Sequence, residues 1–360
     1  MLSNSLIKFT NKKKKVFILT GKNIFKKKNT QILINKLFKK KKIKIFKKKN
    51  FLPDILELKK IIKDLKFFEP DLFVAIGGGG VIDYAKIANS IVHIKKLDTI
   101  LTRKIKFKRF TKLLVIPTTA GSGAEITPGA VLYKDKIKYN LKDQSLIPDR
   151  YFFYPQLIME ASKKLKASSL FDSLSQSIES LISFKSNKIS QKNSLKAISI
   201  IIKNYKKFLK KNDFRSTKNM QIAANFSGKA ISSTSTGAPH ALSYYLSSKF
   251  NLYHGISVII WLPTILEYNF KNLDRLDKTK KKKLLNRIDL LKKVFRVDNE
   301  MKIINKIQKI IDYTKINILI KNNSINLKDQ KKSIKIDRLK NNPIPISYSE
   351  ILKFNRKVFL

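Results

Sequence analysis

The stretch DLFVAIGGGGVIDYAKIANSI, residues 71–91, runs from a continuous apolar segment through four glycines into a pattern with apolar side chains at Val81, Ile82, Ala85, Ile87, Ala88 and Ile91. The first part has the length and unbroken apolarity of a strand buried on both faces, and the last has the spacing of a helix. A strand that ends in glycine and feeds a helix directly is a unit of parallel α/β structure. Without a Cβ in the way, an anionic ligand can approach the free N–H groups at the start of that helix. The pattern is not G-x-G-x-x-G, and a glycine cluster taken alone equally serves a tight turn.

Working outward, KVFILTG (15–21) reads as another buried strand closed by glycine, residues 29–42 as a helix, IKIF (43–46) as a strand and ILELKKIIKDLKFF as a helix. KLLVIPTT (112–119) adds a strand with hydroxyl groups at its carboxyl end. The alternation predicts an α/β first domain with a parallel, Rossmann-like sheet. Ligands of open α/β sheets bind beyond the carboxyl ends of strands, so the glycine turn and the segment IPTTAGSGAEITPGAV (116–131), with Thr118, Thr119 and Ser122, can flank one nucleotide. An ordinary capped loop is the other reading of the second segment. From SSLFDSLSQSIESLIS (168–183) onward the patterns are helical. The expectation is therefore a nucleotide-binding α/β domain over 1–155 and an all-α domain over 156–360.

Composition narrows the function. The net charge of +52 invites a nucleic-acid reading, since clustered cations are the footprint of phosphate binding. Only nine of the 77 basic residues are Arg, however, and the lysine runs lie in every region among Ile and Asn. That excess is what an AT-rich coding sequence produces, so no specific nucleic-acid partner is expected. The absence of cysteine excludes disulfides, thiolate metal sites and cysteine nucleophiles. No apolar run reaches the length of a membrane span, and the N-terminus carries its charge after a very short apolar piece. A cytoplasmic protein without a membrane partner is the expectation.

Three histidines occur in 360 residues, and two of them bracket GAPHALSYYLSSKFNLYHG (237–255). Asp172 and Gln176 are four apart on a predicted helix, hence on one face. With His240 and His254 they make a set of four N/O donors suited to a divalent ion, a Lewis acid that polarises an alcohol or carbonyl oxygen. Spacing alone leaves the alternatives open: a histidine between Pro239 and Ala241 serves as a structural hydrogen-bonding group, and Asp172 as a helix cap. His93 reads as structural.

GGGGVIDYAKIAN, IPTTAGSGAEIT, IPDRYFFYPQL, FDSLSQSIES and GAPHALSYYLSSKFNLYHG, in this order, resemble the iron-containing (group III) alcohol dehydrogenases over nearly the whole chain. The resemblance implies the dehydroquinate synthase-like architecture, a helical C-terminal domain and a metal in the cleft between the domains. It places Gly78, Gly79 and Asp83 at the cofactor diphosphate, Thr118, Thr119 and Ser122 toward the nicotinamide, and Lys138 near a further cofactor contact. Asp172, His240 and His254 fall on metal-ligand positions. Gln176 replaces the usual fourth ligand, a histidine, and Tyr244 replaces a further active-site histidine, as a candidate for passing the proton to solvent. An amide oxygen is a poorer ligand than imidazole for Fe2+ or Zn2+. A branch acting on sugar acids and phosphonates, of the 3-deoxy-manno-octulosonate 8-oxidase and phosphonoacetaldehyde reductase type, looks similar in the Gln176 and Tyr244 segments.

The expected activity is then hydride transfer between NAD or NADP and a small, anionic primary alcohol or its aldehyde, with a divalent metal and a homodimeric assembly. Lys47, Lys48 and Lys49, near the end of the second strand where an acid accepts the ribose of NAD, leave NADP open. Two other classes are distinguishable. A lyase of the dehydroquinate synthase type needs more histidines than the chain has. A catalytically degenerate basic binding protein predicts no bound metal and salt-sensitive nucleic-acid binding.

Overall fold

The computed structural model describes residues 4–95, 97–102, 105–135, 137–210, 213–316 and 325–359. The chain divides into two compact units, Met1–Thr119 with Gly123–Glu160, and Ala120–Ser122 with Ala161–Leu360. In the first unit, β1 (Lys15–Gly21), β2 (Lys42–Lys48), β3 (Leu72–Gly77), β4 (Lys112–Pro117) and β7 (Arg150–Tyr151) form a parallel sheet in the order β2-β1-β3-β4-β7. Helices α1 (Lys28–Phe38), α2 (Ile55–Phe68) and α3 (Gly79–Ile91) connect its strands.

The strands read as unbroken apolar runs because both faces are covered. Val16, Ile18, Val74 and Ile116 pack with Leu33, Leu37 and Phe38 of α1. Phe17, Leu19, Phe73 and Val115 pack with Leu58, Ile61 and Leu65 of α2 and Ala85 and Ala88 of α3. Chain order turns back at β1, with β2 on one side and β3 on the other, so the carboxyl ends of β1 and β3 form the topological switch point where such sheets bind ligands. The glycine turn stands at one of those ends. A Cβ on Gly77 would fall 2.4 Å from that of Val81, so the start of α3 can lie this close to β3 only with glycine there.

Two expectations about local structure are revised. The helix expected over 29–42 ends at Phe38, because Lys42 already pairs with Lys15 in the parallel ladder and the intervening lysines bring no apolar surface to bury. A two-stranded antiparallel hairpin, β5 (Gly129–Lys134) and β6 (Ile137–Lys142), occupies a stretch to which no element was assigned. Its turn puts Asp135 at φ 50°.

The segment between β4 and this hairpin is fastened by Lys86 of α3, which is fully buried. Its ammonium donates to the carbonyls of Ala124 (3.0 Å), Thr127 (2.8 Å) and Gly129. Burial pushes its pKa down to about 8, against the pull of Asp83 and Glu125.

The described residues of the second unit are helical, with no strand among them. Its centre is α4 (Lys163–Ile182), surrounded by α5 (Lys188–Lys210), α6 (Phe214–Thr234), α7 (Ala238–Lys249), α8 (His254–Ile259) and the helices Lys278–Phe295 and Glu300–Thr314. From Lys166 onward every residue of α4 is buried, serines included. Hydroxyls can be buried there because they bond back to the preceding turn: Ser169 to the Leu165 carbonyl, Ser173 to Ser169 and Ser177 to Ser173.

Lys86→Met removes the donor and leaves three carbonyls without it; urea unfolding should show a loss of about 2–4 kcal/mol, against roughly 0.5 or less for the exposed Lys59→Met. The folded pKa of Lys86 lies below its ordinary 10.5, so the unfolded chain binds the extra proton between about pH 8 and 10.5. Wild type should therefore gain stability relative to Lys86→Met as pH rises through that window.

Candidate metal centre

Three helices converge on one carboxylate. Asp172, buried on α4, has Oδ1 at 3.3 Å from Nε2 of His240 on α7 and 4.0 Å from Nε2 of His254 at the start of α8. One ligand atom from each of the three lies within 4.8 Å of the others. The imidazole rings are edge-on, with centroids 5.4 Å apart.

Glu179 makes the chemistry of this cluster specific, and reading the sequence did not single it out. Its Oε1 lies 2.7 Å from Nδ1 of His240, and its other oxygen accepts the Gly237 N–H. A carboxylate only accepts, so Nδ1 is the protonated nitrogen and Nε2 of the neutral ring presents a lone pair. That lone pair faces Asp172 Oδ1, another acceptor, and two acceptors 3.3 Å apart need a positive charge between them. Burial works to lower the pKa of His240, but Glu179 and Asp172 outweigh it and raise it, which is the same demand expressed as a proton. A divalent ion answers it equally well. Imidazole ligands are commonly oriented by such a carboxylate on the far nitrogen. Glu179 lies seven residues after Asp172, a spacing that keeps it on the same helix face.

Gln176 is buried and shares its amide: Nε2 donates to Asp172 Oδ1 at 2.9 Å, and Oε1 accepts from Ser227 Oγ at 2.8 Å. Tyr244 is buried with its ring parallel to that of His254, 5.9 Å apart and inclined by 2°. Burial raises the Tyr244 hydroxyl to about 12, despite the opposing charge of Arg338, so it remains a neutral phenol. The His254 side chain is 38% exposed against 1% for His240, so the cluster is open on the His254 side. Gly121, in the segment that groups with this unit, lies against the Ser169 backbone and the Asp172 carboxyl.

In the first unit, Gly78 is the N-cap of α3 and Gly79 its first residue. Thr119 lies against Gly78, and buried Thr118 donates its backbone N–H to the Gly77 carbonyl. The two expected loops thus meet at the ends of β3 and β4. Asp83, half-buried on the next turn, accepts the Val131 N–H at 3.1 Å and so holds the hairpin. Burial raises its pKa to about 6, with Lys86 and Lys138 opposing. Lys138 on β6 pairs in register with Tyr133, and Ser122 lies in the segment of the second unit. His93 contacts the Lys106 carbonyl at 3.1 Å. Of the three lysines near the end of β2, Lys47 lies over the Phe25 ring, and Lys48 is bonded to the carbonyls of Asn50 and Phe51.

A parallel α/β unit with a glycine turn at its switch point, followed by a helical unit with a buried imidazole–carboxylate cluster, defines a two-unit protein of the nucleotide- and metal-binding kind. The chain belongs to the iron-containing alcohol dehydrogenase family: the sequence pattern described as "Iron-containing alcohol dehydrogenase" matches residues 3–155 and that of the "Fe-containing alcohol dehydrogenase family, C-terminal" matches 166–359. An aldehyde-alcohol dehydrogenase of Streptococcus pneumoniae is 29% identical over 232 residues, 60% of this chain but 26% of that protein. The chain thus spans about a quarter of that relative's length. A 4-hydroxybutyrate dehydrogenase of Clostridium kluyveri is 29% identical over 218 residues, 59% of this chain and 58% of that protein. Among solved structures, an iron-containing alcohol dehydrogenase from Thermotoga maritima superposes with a TM-score of 0.81 at 23% identity, covering 96% of this chain and 92% of that one. A sulfoacetaldehyde reductase from Bifidobacterium kashiwanohense in complex with NAD+ does so with 0.86 at 18%, covering 99% and 95%. These structural likenesses establish the fold.

Glu179→Gln keeps the size of the side chain but weakens its hold on His240; zinc affinity, measured by chelator competition, should fall about 10- to 100-fold. Gly255→Ala tests the seating of His254, because a Cβ at Gly255 would lie 1.8 Å from the Ser168 carbonyl oxygen. Both metal affinity and the melting temperature should drop, and a variant with unchanged affinity would show that this contact does not position His254.

Proposed function

We propose that the chain is a divalent-metal-dependent NAD(P) oxidoreductase that interconverts a small anionic primary alcohol and its aldehyde. The observation that carries the proposal is the pair of facing acceptors, His240 Nε2 and Asp172 Oδ1, held 3.3 Å apart by Glu179 behind the ring in a member of this family. The donor set of two imidazoles and a carboxylate suits Fe2+ or Zn2+, and Asp172, His240 and His254 would hold the ion. Gln176 serves as a fourth donor once its amide is turned, because the Ser227 hydroxyl can donate or accept and so supports either orientation. When bound, the ion supplies Lewis acidity toward an alcohol or aldehyde oxygen, and NAD(P) supplies the hydride carrier.

The chain's own residues do the rest. Gly78 and Gly79 leave the start of α3 open to a diphosphate, with Thr118, Thr119 and Ser122 assigned to the nicotinamide half and Lys138 to a further cofactor contact. Asp83 acts there through the hairpin it ties down. Tyr244, a neutral phenol, sets the plane of His254 and passes a proton outward only by exchanging one for another. The exposed edge of His254 gives substrate its approach.

The names of two similar proteins support an anionic substrate, since 4-hydroxybutyrate and sulfoacetaldehyde each carry an acid group near the reacting carbon. The terminal alcohol of 3-deoxy-manno-octulosonate and phosphonoacetaldehyde fall in the same class, the latter as a reductase reaction.

Purified protein should carry about one divalent ion per chain and oxidise NADH or NADPH with an acid-bearing aldehyde. Elemental analysis beside nucleotide oxidation over a panel of aldehydes checks this. If no ion is retained or restorable and neither nucleotide binds, the proposal fails. Gln176→His should tighten metal binding; an unchanged affinity would remove Gln176 from the ligand set.

A further inference from the structure

We infer that Lys48 binds the 2′-phosphate of the adenosine ribose, which makes NADP(H), not NAD(H), the dinucleotide of this chain. The inference rests on the proposal that the glycine turn holds a dinucleotide.

The start of α3 is flanked on two sides. Thr119, past the end of β4, lies against Gly78. On Gly80, a Cβ would meet Pro53 Cγ at 3.3 Å and Lys48 Cε at 3.7 Å. Lys48 closes β2, and its partner in the ladder is Gly21 at the end of β1, which adds no side chain. With the nicotinamide half on the Thr119 side, an extended dinucleotide lays its adenosine half over the ends of β1 and β2. The group it meets there is the Lys48 ammonium, joined to the carbon beside Gly80 and 5.8 Å from the centroid of the Tyr84 ring, one turn further along α3.

Charge gives this placement its meaning. The first turn of α3 has no acidic residue, so an ammonium beside it adds positive charge to the positive end of a helix, an arrangement that calls for an anion. NAD sites instead offer the ribose diol a carboxylate. The two carboxylates that act on Lys48 are engaged at both oxygens. Glu57 accepts the Lys49 and Asn50 N–H groups and the Tyr84 hydroxyl. Asp54 accepts the Leu56 and Glu57 N–H groups and the Asn50 amide. The Asn50 and Phe51 carbonyls take two of the three ammonium N–H groups, both at the surface, and the third has no partner among the described residues. Burial lowers the pKa of half-buried Lys48 against the pull of Glu57 and Asp54, so an anionic partner gains by restoring its charge. Lys47 lies over the Phe25 ring and Lys49 is exposed, so neither shares this placement.

Binding of NADP+, NAD+, adenosine 2′,5′-bisphosphate and AMP is measured calorimetrically for wild type, Lys48→Gln, Lys48→Arg and Lys49→Gln. Wild type should bind NADP+ at least about 10-fold more tightly than NAD+, and the bisphosphate more tightly than AMP. In Lys48→Gln the NADP+ affinity should fall roughly 10- to 100-fold while that for NAD+ stays within about twofold, and Lys48→Arg should keep the preference. Lys49→Gln, which removes a neighbouring charge, should leave the ratio within about twofold. A wild type without preference for NADP+ overturns the inference. So does Lys48→Gln weakening both dinucleotides alike, as a structural role would, or Lys49→Gln lowering the ratio as far, as general surface charge would. NADH-dependent reduction of an acid-bearing aldehyde by such a protein would leave the oxidoreductase reading intact. A wild type that binds neither dinucleotide defeats both.

Discussion

The Ser168 carbonyl oxygen leaves no room for a side chain at Gly255, and the metal centre depends on that contact. The Gly255 N–H donates to Ser168 Oγ at 3.1 Å, so the first turn of α8 is seated directly on the backbone of α4. His254, one residue earlier, is thereby brought to Asp172, one helical turn after Ser168. Close approach on this scale needs small residues on the receiving helix, and α4 supplies serines. Larger aliphatic side chains would hold the neighbouring helices apart and move His240 and His254 out of reach of Asp172. Burying so many hydroxyls is tolerable because the carbonyls of the preceding turn accept them. The same helix then carries Asp172, Gln176 and Glu179 on one face, and their mutual geometry is fixed by helical periodicity.

What could be read from the sequence follows from which interactions are local. KVFILTG and DLFVAIG declare themselves as strands because burial on both faces demands unbroken apolarity, and the glycine turn lies between a strand and a helix that are each legible. The hairpin 129–142 was not legible: half of its residues are only partly covered, and lysines and asparagine on those positions blur the alternation that marks a strand. Asp172, His240 and His254 came from a resemblance, since nothing in their spacing requires three helices to converge. Glu179 could have been found by spacing, because seven residues separate it from Asp172 on a helix already recognised. Lys48 could not be told from Lys47 and Lys49, because only the fold lays its stem against Gly80.

The lysine excess has little to do with the site. Several of these side chains bring their ammonium groups over rings at the surface, as Lys47 does on Phe25 at 4.1 Å and Lys196 on Phe226 at 5.2 Å, contacts that contribute little at solvated sites. Such positions accept any long polar side chain, so compositional drift can load them with lysine at small cost. Lys86 is different in kind, since its ammonium is buried and its partners are main-chain carbonyls.

The electrostatics of the second unit turns on that distinction between solvated and buried charge. Asp172 and Glu179 are buried on one helix about two turns apart, and a pair of buried carboxylates is stable only with compensating positive charge. A proton on His240 compensates in part, which is why two carboxylates raise its pKa against the effect of burial. His240 Nε2 and Asp172 Oδ1 would hold a divalent ion in place of that proton, and its charge would balance both carboxylates. Gln176 enters the balance as a neutral group: its N–H supports Asp172 without adding charge, whereas an imidazole in its place would bring another nitrogen lone pair to the ion. The substitution thus trades ligand strength for a hydrogen bond that holds the carboxylate in position while no ion is bound, with the Ser227 hydroxyl fixing the far end of the amide.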